Sequence, residues 1–215
     1  MKLFQYWDTG EPPDEVKVCI RTVRDLNPEF EYELFDRGAA AWFIGKRLGE
    51  RNRKVFSTLA VPAMQADYFR LCALFAKGGV YMDADSDSER PLRELLVEAP
   101  HALMMIHGTD LQPGLMMFRE RGDPLLAAWI EVMTFNLERW ASGSAGQLTG
   151  PVALTALYSA AMKGDLGAVS ASARGLTTVT WHDAGPWVGL VEMAYKRGDR
   201  HWLNWSGPTY IRHAP

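Results

Sequence analysis

Apolar residues along this chain switch between two spacings, and the switches mark out alternating strands and helices. Leu3 to Trp7 is a short apolar run broken at Thr9-Gly10, as a strand entering a turn would be. Beyond Pro12 and Pro13, Val16, Cys19, Ile20, Val23 and Leu26 fall at helical spacing, and Asn27-Pro28 stops that helix. Phe30 to Asp36, FEYELFD, alternates apolar and acidic side chains and reads as a half-buried strand. A second helix is expected over Ala39 to Leu48. The clearest helix lies in VPAMQADYFRLCALFAKGG, where Met64, Tyr68, Leu71, Cys72 and Phe75 make one stripe and Gly78-Gly79 supplies the stop. Val80-Tyr81-Met82 is then a strand. Further on, HALMMIH (His101 to His107) and GLMMF (Gly114 to Phe118) read as buried strands, and Pro124 to Trp140 and Pro151 to Lys163 as helices. Ser142 to Gln147 and Ser170 to Gly175 read as surface loops.

Strands alternating with helices predict an α/β fold with a mostly parallel central sheet flanked by helices, whose ligands gather at the carboxyl ends of the strands. With 215 residues, nearly half of them apolar, one domain is the simpler expectation. The net charge of −3 comes from mixed acids and bases without a basic stripe, which argues against nucleic acid as a partner. Cys19 and Cys72 are far apart in sequence and lie in apolar helical patterns, so they read as core thiols of a reducing compartment. The opening MKLFQYWDTG is too short an apolar run for a signal peptide, and no stretch approaches a membrane span. The expectation is a cytoplasmic protein without a transmembrane segment, with peripheral membrane contact left open.

The chemistry gathers at GGVYMDADSDSERP, where three aspartates alternate after the Val80–Met82 strand. In an extended segment Asp83 and Asp85 point the same way and can converge on one cation, while Ala84 faces the other side. Oxygen donors alone suit Mg²⁺ or Mn²⁺, completed by water and phosphate oxygens. The same letters admit other readings. A solvated acidic turn would end a strand this way. Asp83, Asp85, Asp87 and Glu94 fit positions of a calcium loop, although Ser88 stands where that loop needs glycine and Pro91 lies inside it. An apolar strand before DxD also suits a haloacid-dehalogenase-like phosphatase with an aspartyl nucleophile.

Asp67 and Arg70, three apart on the preceding helix, share a side off the Met64/Tyr68/Phe75 stripe, as an exposed ion pair or as the wall of a cleft. The whole segment ADYFRLCALFAKGGVYMDAD resembles the DXD-motif glycosyltransferases of family 32, with their sugar-binding region containing the DXD motif. LFQYWDTG is similar to that family's first strand, with Gln5, Trp7 and Gly10 retained and Phe4 in place of histidine. NPEFEYELFD resembles its second strand, TGPVALT (Thr149 to Thr155) a later Gly-Pro helix start, and HWLNWSG (His201 to Gly207) its C-terminal region. Pro113 stands where an asparagine is common. The likeness is specific up to Leu92 and loose beyond it.

The resemblance implies a GT-A fold over residues 1–215, with a donor-nucleotide half at 1–92 and an acceptor-side half with the C-terminal segment at 93–215. It implies a metal-dependent enzyme that transfers a hexose from a nucleotide sugar, UDP-linked by expectation, to a polysaccharide, glycolipid or small-molecule acceptor with retention. Asp85 would hold Mn²⁺ or Mg²⁺, with Asp83 beside the ribose or the metal, joined by His201, which otherwise reads as a surface residue. Asp67 and Arg70 would contact the donor sugar, with Arg70 also reaching a phosphate; Asp67, Arg70 and Asp85 would be catalytic. Trp7 would stack on the base, unless it is a core tryptophan of the first strand. His101, His107, His182 and His213 share no ligand spacing. A non-catalytic sugar-nucleotide binder is the alternative outside enzymology; intact Asp67, Arg70, Asp83 and Asp85 count against it.

Overall fold

A computed structural model describes residues 1–139, 142–198, 201 and 203–210. The chain begins with β1 (Lys2–Tyr6), α1 (Asp14–Leu26), β2 (Glu31–Phe35), α2 (Arg37–Leu48), α3 (Glu50–Thr58), α4 (Pro62–Lys77), β3 (Gly79–Met82) and β4 (Ser86–Asp87). It continues through α5 (Leu92–Leu96), β5 (Ala102–His107), β6 (Asp110–Phe118), α6 (Pro124–Glu138), α7 (Ala145–Leu148), α8 (Pro151–Lys163) and α9 (Ala168–Arg174). It closes with β7 (Leu176–Thr180), α10 (Trp181–Ala184), β8 (Gly189–Leu190) and a 3₁₀ turn, Ala194–Arg197.

Six strands form the main sheet in the order β2-β1-β3-β6-β5-β7, and β4 pairs with β8 in a separate small ribbon. The expected parallel sheet is present with one exception: β6 runs antiparallel to both its neighbours, while β1 pairs in parallel with β2 and β3, and β5 with β7. Alternation sends successive strand residues to opposite faces. Phe4, Tyr81, Met104 and Met116 pack with residues of α2, α4 and α6 on one face. Leu3, Val80, Met82, Leu103, Met105 and Met117 pack with residues of α1, α5 and α10 on the other. The helices begin where the local chemistry allows. Asp36 caps α2 by accepting the Ala39 N–H at 2.8 Å, Asp123 caps α6, and α4 and α8 open on Pro62 and Pro151. Among the described residues no helix is long and apolar enough to cross a membrane.

Two expectations need correction, and one helix was not expected at all. Glu50–Thr58 is helical although its apolar positions are few, with Val55 and Phe56 buried in the core. The serine-rich stretch 170–175 lies largely within α9: both hydroxyls are satisfied inside, Ser170 donating to the Ala161 carbonyl at 2.7 Å and Ser172 to the Asp123 carboxylate at 2.8 Å. Half of 142–147 is helix too, since Ser144 and Gln147 form a capping box at the start of α7. The expected end of the sixth long helix at Trp140 lies outside the described residues.

Candidate active site

β3 carries the aspartates to the centre of the sheet and ends there. The Asp83 N–H donates to the Gly114 carbonyl at 2.8 Å, and the Ser86 N–H donates back to the Asp83 carbonyl at 3.2 Å, so the Asp-Ala-Asp stretch is a turn rather than extended chain. Ala84 is buried against Val16, Cys19 and Ile20 of α1 and also lines the cleft between the two aspartates, because the turn replaces the extended geometry on which its opposite orientation was expected. From below, the fully buried Gln5 of β1 supports the turn: its amide donates to the Asp83 carbonyl at 3.3 Å while its oxygen accepts from the Tyr32 hydroxyl at 2.8 Å. Asp87 belongs elsewhere. Its carboxylate accepts its neighbour Ser88's N–H at 2.9 Å and its backbone pairs with Gly189 in the ribbon, which leaves no calcium loop.

Asp67 and Arg70 do not flank a solvent face; both are buried, because α4 is covered almost all round. Arg70 sits 4.6 Å above the Tyr81 ring, and each of its nitrogens has a protein acceptor. Nε donates to the Ala66 carbonyl at 3.2 Å and Nη1 to the Pro113 carbonyl at 2.5 Å. Nη2 lies 3.0 Å from Asp83 and 3.2 Å from Asp67. Burial alone would lower the guanidinium's pKa, and the charges of Asp83 and Asp67 reverse that. Asp67 also accepts from the Thr149 hydroxyl at 2.9 Å. Burial raises its carboxyl above the ordinary range against the pull of Arg70. Pro113 explains its own departure from the expected asparagine. Pairing passes from Met104–Met116 to Met105–Gln112, so residues 113–115 bulge out of the β5–β6 ladder. A proline there forfeits no ladder bond, and its carbonyl turns to Arg70.

Asp83 spends Oδ1 on Arg70 and on the Tyr81 hydroxyl, 3.1 Å away. Oδ2 lies beside Gly114, where a Cβ would come within 3.1 Å of it, so the glycine keeps that oxygen open to the cleft. Burial lifts the Asp83 carboxyl to about 6, with Arg70 opposing and Asp85 adding to the rise. Two carboxylates that repel one another at the cleft floor are a fit for a divalent cation. Among the described residues no three His, Cys, Asp or Glu side chains gather into a metal cluster. His201 therefore does not complete a preformed triad with Asp83 and Asp85, although it lines the same cleft.

The cleft measures about 1060 Å³, at the upper end of small-molecule sites of roughly 300–1,000 Å³. Trp7, Asp67, Arg70, Asp83, Asp85 and His201 all line it. Trp7 is half-buried, no core residue, and meets Tyr195 edge-on with ring centroids 5.1 Å apart. Sequence reading missed Tyr195 and Lys196. Both reach Asp85: the Tyr195 hydroxyl donates to Oδ2, and the Lys196 ammonium lies 2.9 Å from the same oxygen. It also missed Thr149 as a partner of Asp67, and Gly150, whose Cβ would crowd Gly146 Cα at 3.0 Å. The Gly-Pro start of α8 was visible in sequence; nothing local showed that it lies against Asp67.

Residues 13–102 match a family described as "Glycosyltransferase sugar-binding region containing DXD motif". Over 86 residues the chain is 27% identical to the Initiation-specific alpha-1,6-mannosyltransferase of Schizosaccharomyces pombe (strain 972 / ATCC 24843), covering 37% of this chain and 22% of that protein. The chain thus matches about a fifth of that relative's length. Two solved structures share the fold. One is titled PaToxG Glycosyltransferase, with TM-score 0.58, 14% identity, and 98% of this chain and 88% of that one covered. The other is the ligand-free glycosyltransferase domain from the YGT toxin, with TM-score 0.58, 9% identity, and 88% and 80% covered. Matched region, relative and both solved structures are described as glycosyltransferases, so the chain is similar to that class over residues 13–102 and shares the fold of its solved members. The sugar-binding region they define holds Asp67, Arg70, Asp83 and Asp85; Trp7 and the 3₁₀ turn lie outside it.

Proposed function

We propose that the protein is a metal-dependent hexosyltransferase. Its donor is a nucleotide sugar, UDP-linked in our reading, its cation is Mn²⁺ or Mg²⁺, and its acceptor is a polysaccharide, glycolipid or small molecule, with the anomeric configuration retained. The observation that carries this reading is the Asp67–Arg70–Asp83 ion network on the floor of a cleft that Asp85 and Trp7 also line. Asp83 Oδ2 and Asp85 would hold the cation, with water and diphosphate oxygens as its remaining ligands. The cation supplies Lewis-acid stabilisation of the charge left on the nucleoside diphosphate as the bond to the anomeric carbon breaks.

The chain's own groups set the geometry. Arg70, with its nitrogens committed to Asp67, Asp83 and two carbonyls, is a positioning residue that fixes both carboxylates, and this replaces the expected contact with phosphate. Asp67 is held by Arg70 and Thr149 with Gly150 beside it, which leaves room for a sugar ring. Trp7 offers an aromatic surface for the base at the end of β1. A phosphatase would need Asp83 as a free nucleophile, and its tie to Arg70 and Tyr81 favours the transferase reading. The test is melting temperature with UDP, UDP-hexoses and a mannose nucleotide, in Mn²⁺ and in excess chelator. The expected result is a rise that needs the metal. Equal stabilisation in chelator would refute the proposal.

A further inference from the structure

One oxygen of the carboxylate that Asp85 offers to a cation is already held by the chain itself. Lys196 Nζ lies 2.9 Å from Asp85 Oδ2 and donates to the Val191 carbonyl at 3.1 Å, and the Tyr195 hydroxyl donates to the same Oδ2. Both side chains come from the 3₁₀ turn, and that turn is tethered. The Glu15 carboxylate on α1 accepts the N–H groups of Ala194 at 3.0 Å and Tyr195 at 2.9 Å. A divalent cation on the Asp85 carboxylate would stand close to the Lys196 ammonium, and in a partly buried cleft their repulsion favours the ammonium's departure.

Only one lysine or arginine lining the cleft besides Arg70 appears among the described residues, and that is Lys196. Arg70 is locked by its acceptors, whereas Lys196 is a compact charge on a flexible four-carbon stem. Resting on the donor reading above, we propose that Lys196 is a resident counter-ion of Asp85 which the divalent cation displaces, and that the displaced ammonium moves onto the diphosphate of the nucleotide. Cation and diphosphate then bind interdependently. The cation binds less well alone because it must push the ammonium off its carboxylate, and better with the nucleotide because the diphosphate receives that charge.

The test is free Mn²⁺ measured by electron paramagnetic resonance during titration of the whole chain, with and without UDP. Lys196→Met is expected to bind Mn²⁺ alone about tenfold more tightly than the wild type, and to lose about tenfold of the enhancement that UDP gives. Lys196→Arg, which keeps the charge, is expected to resemble the wild type in Mn²⁺ alone. Glu15→Gln, which loosens the turn from outside the cleft, is expected to shift Mn²⁺ affinity the same way as Lys196→Met and serves if that variant misfolds. Unchanged Mn²⁺ affinity in both Lys196→Met and Glu15→Gln, or an unchanged UDP enhancement in Lys196→Met, overturns the proposal while leaving the metal-dependent transferase standing. Absence of Mn²⁺ binding in every protein even with UDP overturns both.

Discussion

Asp85 and Asp67 stand at different depths of the cleft, and their substitutions separate accordingly. Asp85 is partly exposed and tied to the 3₁₀ turn, so Asp85→Asn should weaken UDP and the intact sugar nucleotide alike through loss of a cation ligand. Asp67 is buried between Arg70 and Thr149. Asp67→Asn should leave metal-dependent UDP binding nearly unchanged and lower sugar transfer or donor hydrolysis by about 10²-fold or more, because a charged hydrogen bond to a reacting sugar is worth about 1.5–3 kcal/mol. The fold should accept the amide. Burial outweighs Arg70 in setting the Asp67 proton, so removing that charge relieves desolvation as well as losing an ion pair. Calorimetry with UDP beside a hydrolysis assay checks both halves. These residues were legible because the carboxylates and the arginine sit at fixed spacing around one helix, two glycines and one strand. Tyr195, Lys196 and Glu15 were not, since each is a single polar residue brought to the site across more than a hundred residues, or to the turn that serves it.

The glycine pair between α4 and β3 sets how those carboxylates meet. Gly78 and Gly79 have φ of +65° and +110°, and a Cβ on Gly79 would lie 2.6 Å from the Lys2 carbonyl of β1. Neither the dihedral nor the close approach of β1 admits a side chain. Gly79→Ala should therefore cost roughly 3 kcal/mol or more of stability, read from the midpoint of chemical denaturation. It should also weaken UDP binding in whatever folded fraction remains, by shifting β3 against β1. Sequence reading took the pair only as a helix stop, because the approach of Lys2 is a property of the sheet. Elsewhere, element type was legible where the apolar period was long, as in α1, α4 and α8. It failed at α3 and α9, where a short helix is held by one or two buried residues or by serines whose partners lie far along the chain.

Across the molecule, the buried acids make stability and ligand binding respond to pH in opposite senses. Asp83 moves from an ordinary 3.8 to about 6, so between those values the native state holds a proton that the unfolded state has lost. Its contribution to stability is greatest at the acid end and declines as pH rises through that window, levelling above it. The melting temperature of wild type relative to Asp83→Asn should fall over the same range. Metal-dependent UDP binding should instead strengthen as pH rises through about 6, because a cation takes the ionised carboxylate. Melting curves with and without Mn²⁺ and UDP over a pH series check both trends.

The sheet order carries a consequence for how the chain reaches its fold. β3 is bordered by β1 and by β6, and neither Lys2–Tyr6 nor Asp110–Phe118 falls within residues 13–102, the stretch that matches the glycosyltransferase family. Cut at those bounds, the fragment would present Val80, Tyr81 and Met82 on a strand with two unpaired edges, an aggregation template rather than a folding unit. During synthesis the aspartates therefore emerge well before their strand has both neighbours. The aspartate-bearing motif is contiguous in sequence, yet it acquires its shape only when the first strand of the chain and a later, reversed one close upon it.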